Sequence, residues 1–157
     1  MTRKLTRAVR VGKLTLGGGH DILIQSMLNT PAHDIDAGVD QALRLQAAGC
    51  QIVRAAIPDK EAIALVAAVR EKADMPFVAD IHFDYRLAIE AVAAGADKIR
   101  LNPGNIGGQE RVRAVVRACR EREVPIRIGV NSGSCEAQFL ERYSGPTLQA
   151  LAESALY

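Results

Sequence analysis

The stretch MPFVADIHFDYRLAIEAVAAGADKIRLNPGN, residues 75–105, decides the fold class. An apolar run, FVADI, is followed by apolar residues at helical spacing and then by a second apolar run, KIRL. Pro76 suits the start of a strand, where a missing N–H is tolerated, and Gly95 stands where a helix would end. Strand, helix and strand in this order are typical of a parallel β/α unit.

The same unit recurs on both sides of this stretch. The apolar patterns predict strands near 22–27, 51–57, 76–81, 97–101 and 125–131. They predict helices over about 35–48, 59–72, 85–94 and 108–122, with Asp59 and Asp84 as N-caps, and a fifth helix in the final PTLQALAESALY.

A β-hairpin is predicted before these units. The segments AVRVGKLTL and DILIQSM flank a glycine turn at Gly17–Gly19, which predicts paired strands that run into the first core strand. The predicted organisation is one domain, with the hairpin in residues 1–21 and β/α units in residues 22–157.

Parallel β/α units close either as a doubly wound sheet or as a (β/α)8 barrel. Polar residues end nearly every predicted strand, as in barrel active sites, and the glycine-rich GGGHD lies before the first strand instead of after it. We therefore predict an α/β fold, a partial TIM-type barrel of about five units.

A full barrel has eight strands in about 250 residues. We expect these 157 residues to form the N-terminal part of a larger barrel. Its first and fifth strands would be unpaired edges, which favour a dimer, a swapped assembly or poor solubility.

Composition limits the partners. Hydrophobic residues make up 48% of the 157 residues and aromatic residues only 4%, so the core must be aliphatic. A net charge of +2 without a Lys/Arg run argues against nucleic acid. Because the sequence has neither an apolar block of about 20 residues nor a signal peptide, we expect a cytoplasmic protein with no membrane partner.

Cys50, Cys119 and Cys135 form no CxxC pair, so we expect neither a disulfide nor a set of metal ligands.

Polar residues two apart share one side of a strand and therefore project together from runs that otherwise look buried. Two such pairs, Asp80 with His82 and Arg100 with Asn102, form the predicted site together with Arg54, Arg127 and Asn131. Three arginines in an enclosed place would be costly unless an anion binds there. Guanidinium groups suit a diphosphate because their forked donors engage two oxygens at once.

Acid–base chemistry is predicted for Asp80 and His82. Histidine is the side chain most easily tuned near neutral pH, and a neighbouring carboxylate favours its protonated form. The alternative is a core histidine that is hydrogen-bonded to the backbone, beside an aspartate that caps a turn. The pair would also suit a metal, but no third ligand is evident in the sequence, so no metal site is predicted.

Two loops offer further ligand contacts. The glycine-rich Asn102–Gly108 loop precedes a helix, whose N-terminal N–H groups suit a phosphate, although a simple tight turn explains it equally well. Gln25, Ser26 and Asn29 end the first strand and are suited either to a ligand or to turn formation.

Six motifs carry a family resemblance. QSM–NT, QIVRAAIP, MPFVADIHFDYRLA, KIRLNPGNIG, VPIRIGVNSGS and ERYSGPTLQALAESAL occur in this order. Together they resemble the N-terminal barrel of the 4-hydroxy-3-methylbut-2-enyl diphosphate synthase family, from about Arg7 to Tyr157. The resemblance implies an oxidoreductase of non-mevalonate isoprenoid biosynthesis. Such an enzyme opens 2-C-methyl-D-erythritol 2,4-cyclodiphosphate reductively to hydroxymethylbutenyl diphosphate.

The resemblance also implies cofactors, partners and residue roles. Two electrons pass through a [4Fe–4S] cluster on a separate C-terminal domain, supplied by ferredoxin or flavodoxin, and the enzyme works as a homodimer. By position, Arg54, Arg100 and Arg127 match arginines that face the substrate's diphosphate. The other polar residues of the predicted site match residues around the same pocket, namely Asp80, His82, Asn102 and Asn131.

The sequence departs from the family pattern in two ways. Leu28 stands where the family usually has threonine, and Pro31–His33 replaces a more polar stretch, so the role of the first loop is open. The later strands, the cluster domain and its ligands have no counterpart in the sequence. We therefore expect this chain to bind no cluster and not to catalyse the complete reaction alone.

Two alternatives stay open. One is a pterin-binding barrel such as that of dihydropteroate synthase, which shares the architecture and a mouth close to phosphate. The other is a non-catalytic half-barrel that binds an anion or only assembles with another chain.

Overall fold

The computed structural model describes residues 4–157. Its strands are β1 (Val9–Val11), β2 (Leu14–Leu16), β3 (Gln25–Met27), β4 (Ile52–Ala56), β5 (Phe77–Ile81), β6 (Lys98–Leu101) and β7 (Ile126–Ile128). Its helices are α1 (Ile35–Ala47), α2 (Ile63–Lys72), α3 (Tyr85–Ala93), α4 (Pro103–Ile106), α5 (Gln109–Glu121), α6 (Ala137–Arg142) and α7 (Leu148–Leu156). Within this described part, no helix combines the length and the apolar character needed to cross a lipid bilayer.

Five strands form one parallel sheet in the order β3-β4-β5-β6-β7. Sequence order and spatial order agree, as they do when successive β/α units close around a barrel. The predicted parallel α/β architecture of about five units is therefore confirmed. In the described part of the chain, β3 and β7 form the two ends of the sheet.

The outer face of the sheet packs against the helices and forms the main core. Side chains from alternate positions of the central strands lie in it, namely Val53, Ala55, Phe77, Ala79, Ile99 and Leu101. Apart from Phe77, these side chains are aliphatic, as expected for a sheet face that helices cover. The remaining alternate positions point to the inner face, where the site lies.

The helix ends follow the predicted signals. Gly49 and Gly95 have φ values of 90° and 99°, the left-handed conformation that commonly ends a helix. Asp84 caps α3, because its carboxylate accepts a hydrogen bond from the Arg86 N–H at 3.0 Å. Asp59 accepts from the Ala62 N–H at 3.0 Å, but α2 begins only at Ile63. The intervening residues form a tighter turn with bonds between residues three apart.

The predicted position of the hairpin turn was wrong. Val11 pairs with Leu14, so β1 and β2 both lie in AVRVGKLTL and turn at Gly12–Lys13 instead of Gly17–Gly19. Gly12 has a φ of 54°, which a two-residue hairpin turn accepts at its first central position. Residues 1–3 of the predicted hairpin segment lie outside the described residues. Of the DILIQSM segment, Gln25–Met27 joins the parallel sheet beside β4.

The hairpin lies at the amino ends of the core strands. Val11 is fully buried, and Lys13 forms an ion pair with Asp74, which precedes β5. A Cβ at Gly12 would lie 2.7 Å from an Asp97 carboxylate oxygen, just before β6. Burial raises the pKa of Asp97, whose carboxylate accepts the Phe77 N–H at 2.8 Å. The hairpin therefore does not cover the carboxyl ends of the strands, where the site residues lie.

The loops contain short elements that the sequence did not predict. Asn102 precedes Pro103, which opens α4, as is common for proline in a first helical turn. A 3-10 turn spans Ser132–Ser134, and α6 follows it. Elements of three to six residues are too short to show periodicity, which explains why the sequence did not reveal them.

Candidate functional site

The register of the sheet places four of the predicted site residues on its inner face, namely Arg54, Asp80, Arg100 and Arg127. Paired residues of parallel strands point to the same side. One row across the sheet contains Ala56, Asp80, Arg100 and Arg127, and the next row toward the amino ends contains Met27, Arg54, Val78 and Lys98. The inner face is therefore polar in its middle, whereas the outer face is aliphatic.

A buried carboxylate joins two of the arginines. Asp80 is 0% exposed. Its Oδ2 accepts from Arg54 Nη2 at 2.5 Å and Nε at 3.1 Å, and its Oδ1 accepts from Arg100 Nη1 at 3.1 Å. A buried charge is stable only when it is paired and hydrogen-bonded. Asp80 thus holds two guanidinium groups side by side.

His82 extends this network toward solvent. Its Nε2 lies 3.4 Å from Asp80 Oδ2, and 42% of its side chain is exposed. The adjacent Phe83 ring is 72% exposed, with the two ring centroids 6.1 Å apart. An imidazole with a carboxylate on one side and open space on the other is suited to proton transfer. The structure therefore brings the predicted acid–base pair together.

Lys98 is a fourth cation on this face that the sequence interpretation missed. It is half-buried, and burial lowers its pKa, with further lowering by the positive charges of Arg127 and Arg54. Neither Lys98 nor Arg127 has an ion-pair partner within the described residues. The signal was present in KIRLN, where Lys98 stands two residues before Arg100. Lys98 opens β6, whereas the predicted site residues lie toward the carboxyl ends of the strands.

The inner face carries an excess of positive charge. The residues that β3–β7 contribute to it include one carboxylate and four cationic side chains, Arg54, Lys98, Arg100 and Arg127. Asp80 neutralises one of these charges, so three remain without a counterion on this face. Arg54, Lys98 and Arg100 are partly buried, and Arg127 is exposed. Cations in such excess on one face attract an anion.

Asn102 and Asn131 are linked through a serine. Asn102 is 1% exposed, and its Nδ2 donates to Ser134 Oγ at 2.5 Å, while its Oδ1 is buried without a hydrogen-bond partner in residues 4–157. Asn131 is exposed, and its Oδ1 accepts from the Gly133 N–H at 3.0 Å and from Ser134 Oγ at 3.1 Å. Asn131 therefore forms a turn, and Asn102 presents an unused acceptor.

The glycine-rich loop is only partly available to a ligand. The N–H groups of Asn105 and Ile106 donate to Asn102 O at 3.0 and 3.1 Å, inside α4. The next helix, α5, begins at Gln109, directly after Gly108. Contact between this loop and a phosphate stays a prediction. Fewer backbone N–H groups are free for it than the sequence suggested, because those of Asn105 and Ile106 are already hydrogen-bonded.

One group of side chains has metal-ligand geometry. The ligand atoms of His33, Asp59 and Glu61 lie within 4.8 Å of one another, on the loops after β3 and β4. His33 Nε2 lies 2.7 Å from Asp59 Oδ2. The pKa of Asp59 is lowered, first by the Ala62 N–H and also by His33. This contact joins His33 to Asp59, and Glu61 lies beside them.

The cysteines of residues 4–157 do not fit an iron–sulfur cluster. Cys50, Cys119 and Cys135 are all buried and free, and none belongs to a group of three potential ligands. Cys50 Sγ donates to Ile52 O at 3.1 Å, and burial raises the pKa of Cys119 to about 11. A cluster requires three or four convergent thiolates or equivalent ligands.

Sequence relatives share one name. A "4-hydroxy-3-methylbut-2-en-1-yl diphosphate synthase (flavodoxin)" of Geobacillus thermodenitrificans is 56% identical over 155 residues, covering 99% of this chain and 41% of the relative. The protein of that name from Anoxybacillus flavithermus is also 56% identical, covering 99% of this chain and 43% of the relative. The chain spans about two fifths of the length of these curated relatives.

A solved structure shares the fold. Dihydropteroate synthase of Yersinia pestis matches with a TM-score of 0.63 and 16% identity, covering 95% of this chain and 57% of the other. At this identity the likeness concerns the fold alone. A family model described as the GcpE TIM-barrel domain matches residues 6–157, which confirms the partial barrel and the resemblance. The chain therefore belongs to the GcpE family and matches its TIM-barrel domain.

Proposed function

We propose that this chain is the substrate-binding barrel portion of a 4-hydroxy-3-methylbut-2-en-1-yl diphosphate synthase. Its substrate would be 2-C-methyl-D-erythritol 2,4-cyclodiphosphate. Family membership and the shared name of relatives at 56% identity support this assignment. The chain spans only 41% of the first relative, so the complete reaction requires more of the enzyme than these residues.

The positive excess on the inner face carries the proposal. Four cations and one carboxylate share that face, and a diphosphate supplies the missing negative charge. Arg54 uses Nε and Nη2 on Asp80 and keeps its other guanidinium donors for a ligand. Lys98 and Arg127, which lack an ion-pair partner in the described chain, would bind phosphate oxygens directly.

The neighbouring polar groups would act on the rest of the substrate. We propose that His82, held by Asp80, transfers a proton during ring opening and loss of the hydroxyl group. The buried Asn102 Oδ1 would accept a hydrogen bond from a substrate hydroxyl. The turn formed by Asn131 would keep Ser134 and Asn102 in place.

The remaining assignments concern the whole enzyme. We propose a [4Fe–4S] cluster on another part of the protein, which would supply the two electrons for the reductive ring opening. The names of the relatives support flavodoxin as the electron donor, and ferredoxin is the other candidate. A homodimer and a cytoplasmic location complete the proposal.

Calorimetric titration with the cyclodiphosphate tests the proposal. Arg100→Ala should weaken binding about tenfold or more, because it removes a charge-assisted contact and leaves Asp80 with one arginine fewer. Arg117→Ala is the matched control, because Arg117 is exposed on α5. Circular dichroism should show the same fold in all three proteins.

Three outcomes would contradict the proposal. Equal affinity in Arg100→Ala would show that the inner face is not the binding site. A folded chain without affinity would support an assembly role for the half-barrel. Displacement of the cyclodiphosphate by a pterin would support the dihydropteroate synthase alternative, which at present has only a shared fold in its favour.

A further inference from the structure

Gly129 lies directly beside the Arg100 guanidinium. It follows β7, and its N–H donates to Leu101 O at 2.8 Å. A Cβ built on Gly129 would lie 2.2 Å from Arg100 Nε, 2.5 Å from Nη2 and 2.7 Å from Cζ. No side chain other than hydrogen fits at this position while Arg100 stays where it is.

The backbone does not require glycine here. The φ of Gly129 lies outside the left-handed region that Gly107 and seven other glycines adopt. Alanine could therefore take up the same backbone conformation. What glycine provides at this position is space.

We propose that Gly129 is a positioning residue. Because it has no side chain, the Arg100 guanidinium can lie against it and stay within hydrogen-bond distance of Asp80. Arg100 Nη2 donates to Gly129 O at 3.3 Å while Nη1 donates to Asp80 Oδ1 at 3.1 Å. Only 13% of the Arg100 side chain is exposed, so the guanidinium is largely enclosed beside Asp80 and Gly129. The functional consequence rests on the proposed diphosphate site.

The effect of a side chain at Gly129 should fall on the site and not on the fold. Its contacts are with the far end of a flexible side chain, which can move. Gly104 shows the opposite case, because its Cβ would lie 2.3 Å from the Ser134 backbone oxygen. Gly129→Ala should therefore leave the chain folded and displace the guanidinium from Asp80.

Arginine side-chain NMR tests this without a ligand. The Nε–Hε signal of Arg100, assigned with Arg100→Lys, should shift in Gly129→Ala. Gly133→Ala is the matched control in the same loop, because the nearest atom to its Cβ lies at 3.5 Å. The control should leave the signal in place. An unchanged Arg100 signal in Gly129→Ala would overturn the proposal, as would a chain that fails to fold.

Titration with the cyclodiphosphate tests the consequence. Gly129→Ala should weaken binding about tenfold, and Gly129→Ala combined with Arg100→Ala should bind no more weakly than Arg100→Ala alone. Wild-type affinity in Gly129→Ala, or additive losses in the double variant, would overturn the positioning role. If the wild-type chain itself fails to bind, the proposed function fails, and the NMR shift still decides whether Gly129 positions Arg100.

Discussion

At the residue scale, Lys98 is a half-buried cation on the inner face of the sheet. It is half-buried, its pKa is lowered by burial, and both Arg127 and Arg54 repel its charge. A cation in such surroundings opposes folding until an anion arrives. Its presence on a face with three arginines agrees with the proposed diphosphate site.

Lys98→Met should change stability and binding in opposite directions. We expect the free energy of unfolding to rise by about 1 kcal/mol near neutral pH, because the substitution removes the repelled charge and keeps the apolar stem. Affinity for the cyclodiphosphate should fall about tenfold. Urea unfolding and calorimetry measure the two effects, with the exposed Lys60→Met as control.

The stability gain should depend on pH with a defined sign. Because the pKa of Lys98 is lowered in the folded chain, the wild type gains stability as the pH rises through that pKa toward the ordinary value of 10.5. The difference between Lys98→Met and wild type should shrink over this range. A constant difference would show that the charge of Lys98 is not the cause.

Cys119 should be chemically inert in the folded chain. Burial raises its pKa to about 11, so at pH 8 roughly one molecule in a thousand carries the thiolate. Iodoacetamide should alkylate it only after unfolding in urea, as measured by peptide mass spectrometry. Rapid alkylation in the native chain would show that α5 opens or that the thiol is accessible.

At the scale of elements, side-chain capping defines where α3 begins. The Asp84 carboxylate accepts the Arg86 N–H at 3.0 Å and also pairs with the Arg86 guanidinium at 2.8 Å. These contacts lower the pKa of Asp84, with the Arg86 side chain as the largest cause. The cap was predictable because it depends on neighbours two residues apart.

Asp84→Ala should lower the free energy of unfolding by about 1 kcal/mol, the usual cost of losing a helix cap. Asp40→Ala, an exposed substitution within α1, is the control and should change stability little. The Asp84 contribution should be full above the ordinary pKa of 3.8 and disappear as the pH falls below it, because the folded-state pKa is lowered. An equal loss at pH 2 would contradict this origin.

At the scale of the whole molecule, the open sheet is the main feature. In the described chain β3 and β7 each have a strand neighbour on one side only. Ile24, which precedes β3, is 61% exposed, and Ile128 at the end of β7 is 53% exposed. Unpaired backbone edges with apolar side chains favour pairing with another chain.

We therefore expect the isolated chain to associate in a concentration-dependent way. Sedimentation velocity should show species larger than 16.9 kDa. Ile128→Lys should reduce them, since a charged residue on an edge strand opposes pairing. Val116→Lys is the control, because Val116 is also exposed but lies on α5. A monomer at all concentrations would contradict the edge-pairing expectation.

Local patterns in the sequence determined much of this protein. Strand and helix order, the aliphatic core, and the glycines after α1 and α3 all follow from residues close together in the chain. The polar residues at the strand ends followed from the two-residue period of a strand. The family resemblance then implied a specific reaction for these residues, the reductive opening of a cyclodiphosphate.

Only the tertiary structure decided how the site is assembled. Arg54 lies 26 residues before Asp80 and Arg100 lies 20 residues after it, so their contact depends on strand register. Register also places Lys98 beside the arginines and Gly129 beside Arg100. Such contacts join residues far apart in the chain, and local periodicity carries no information about which of them will meet.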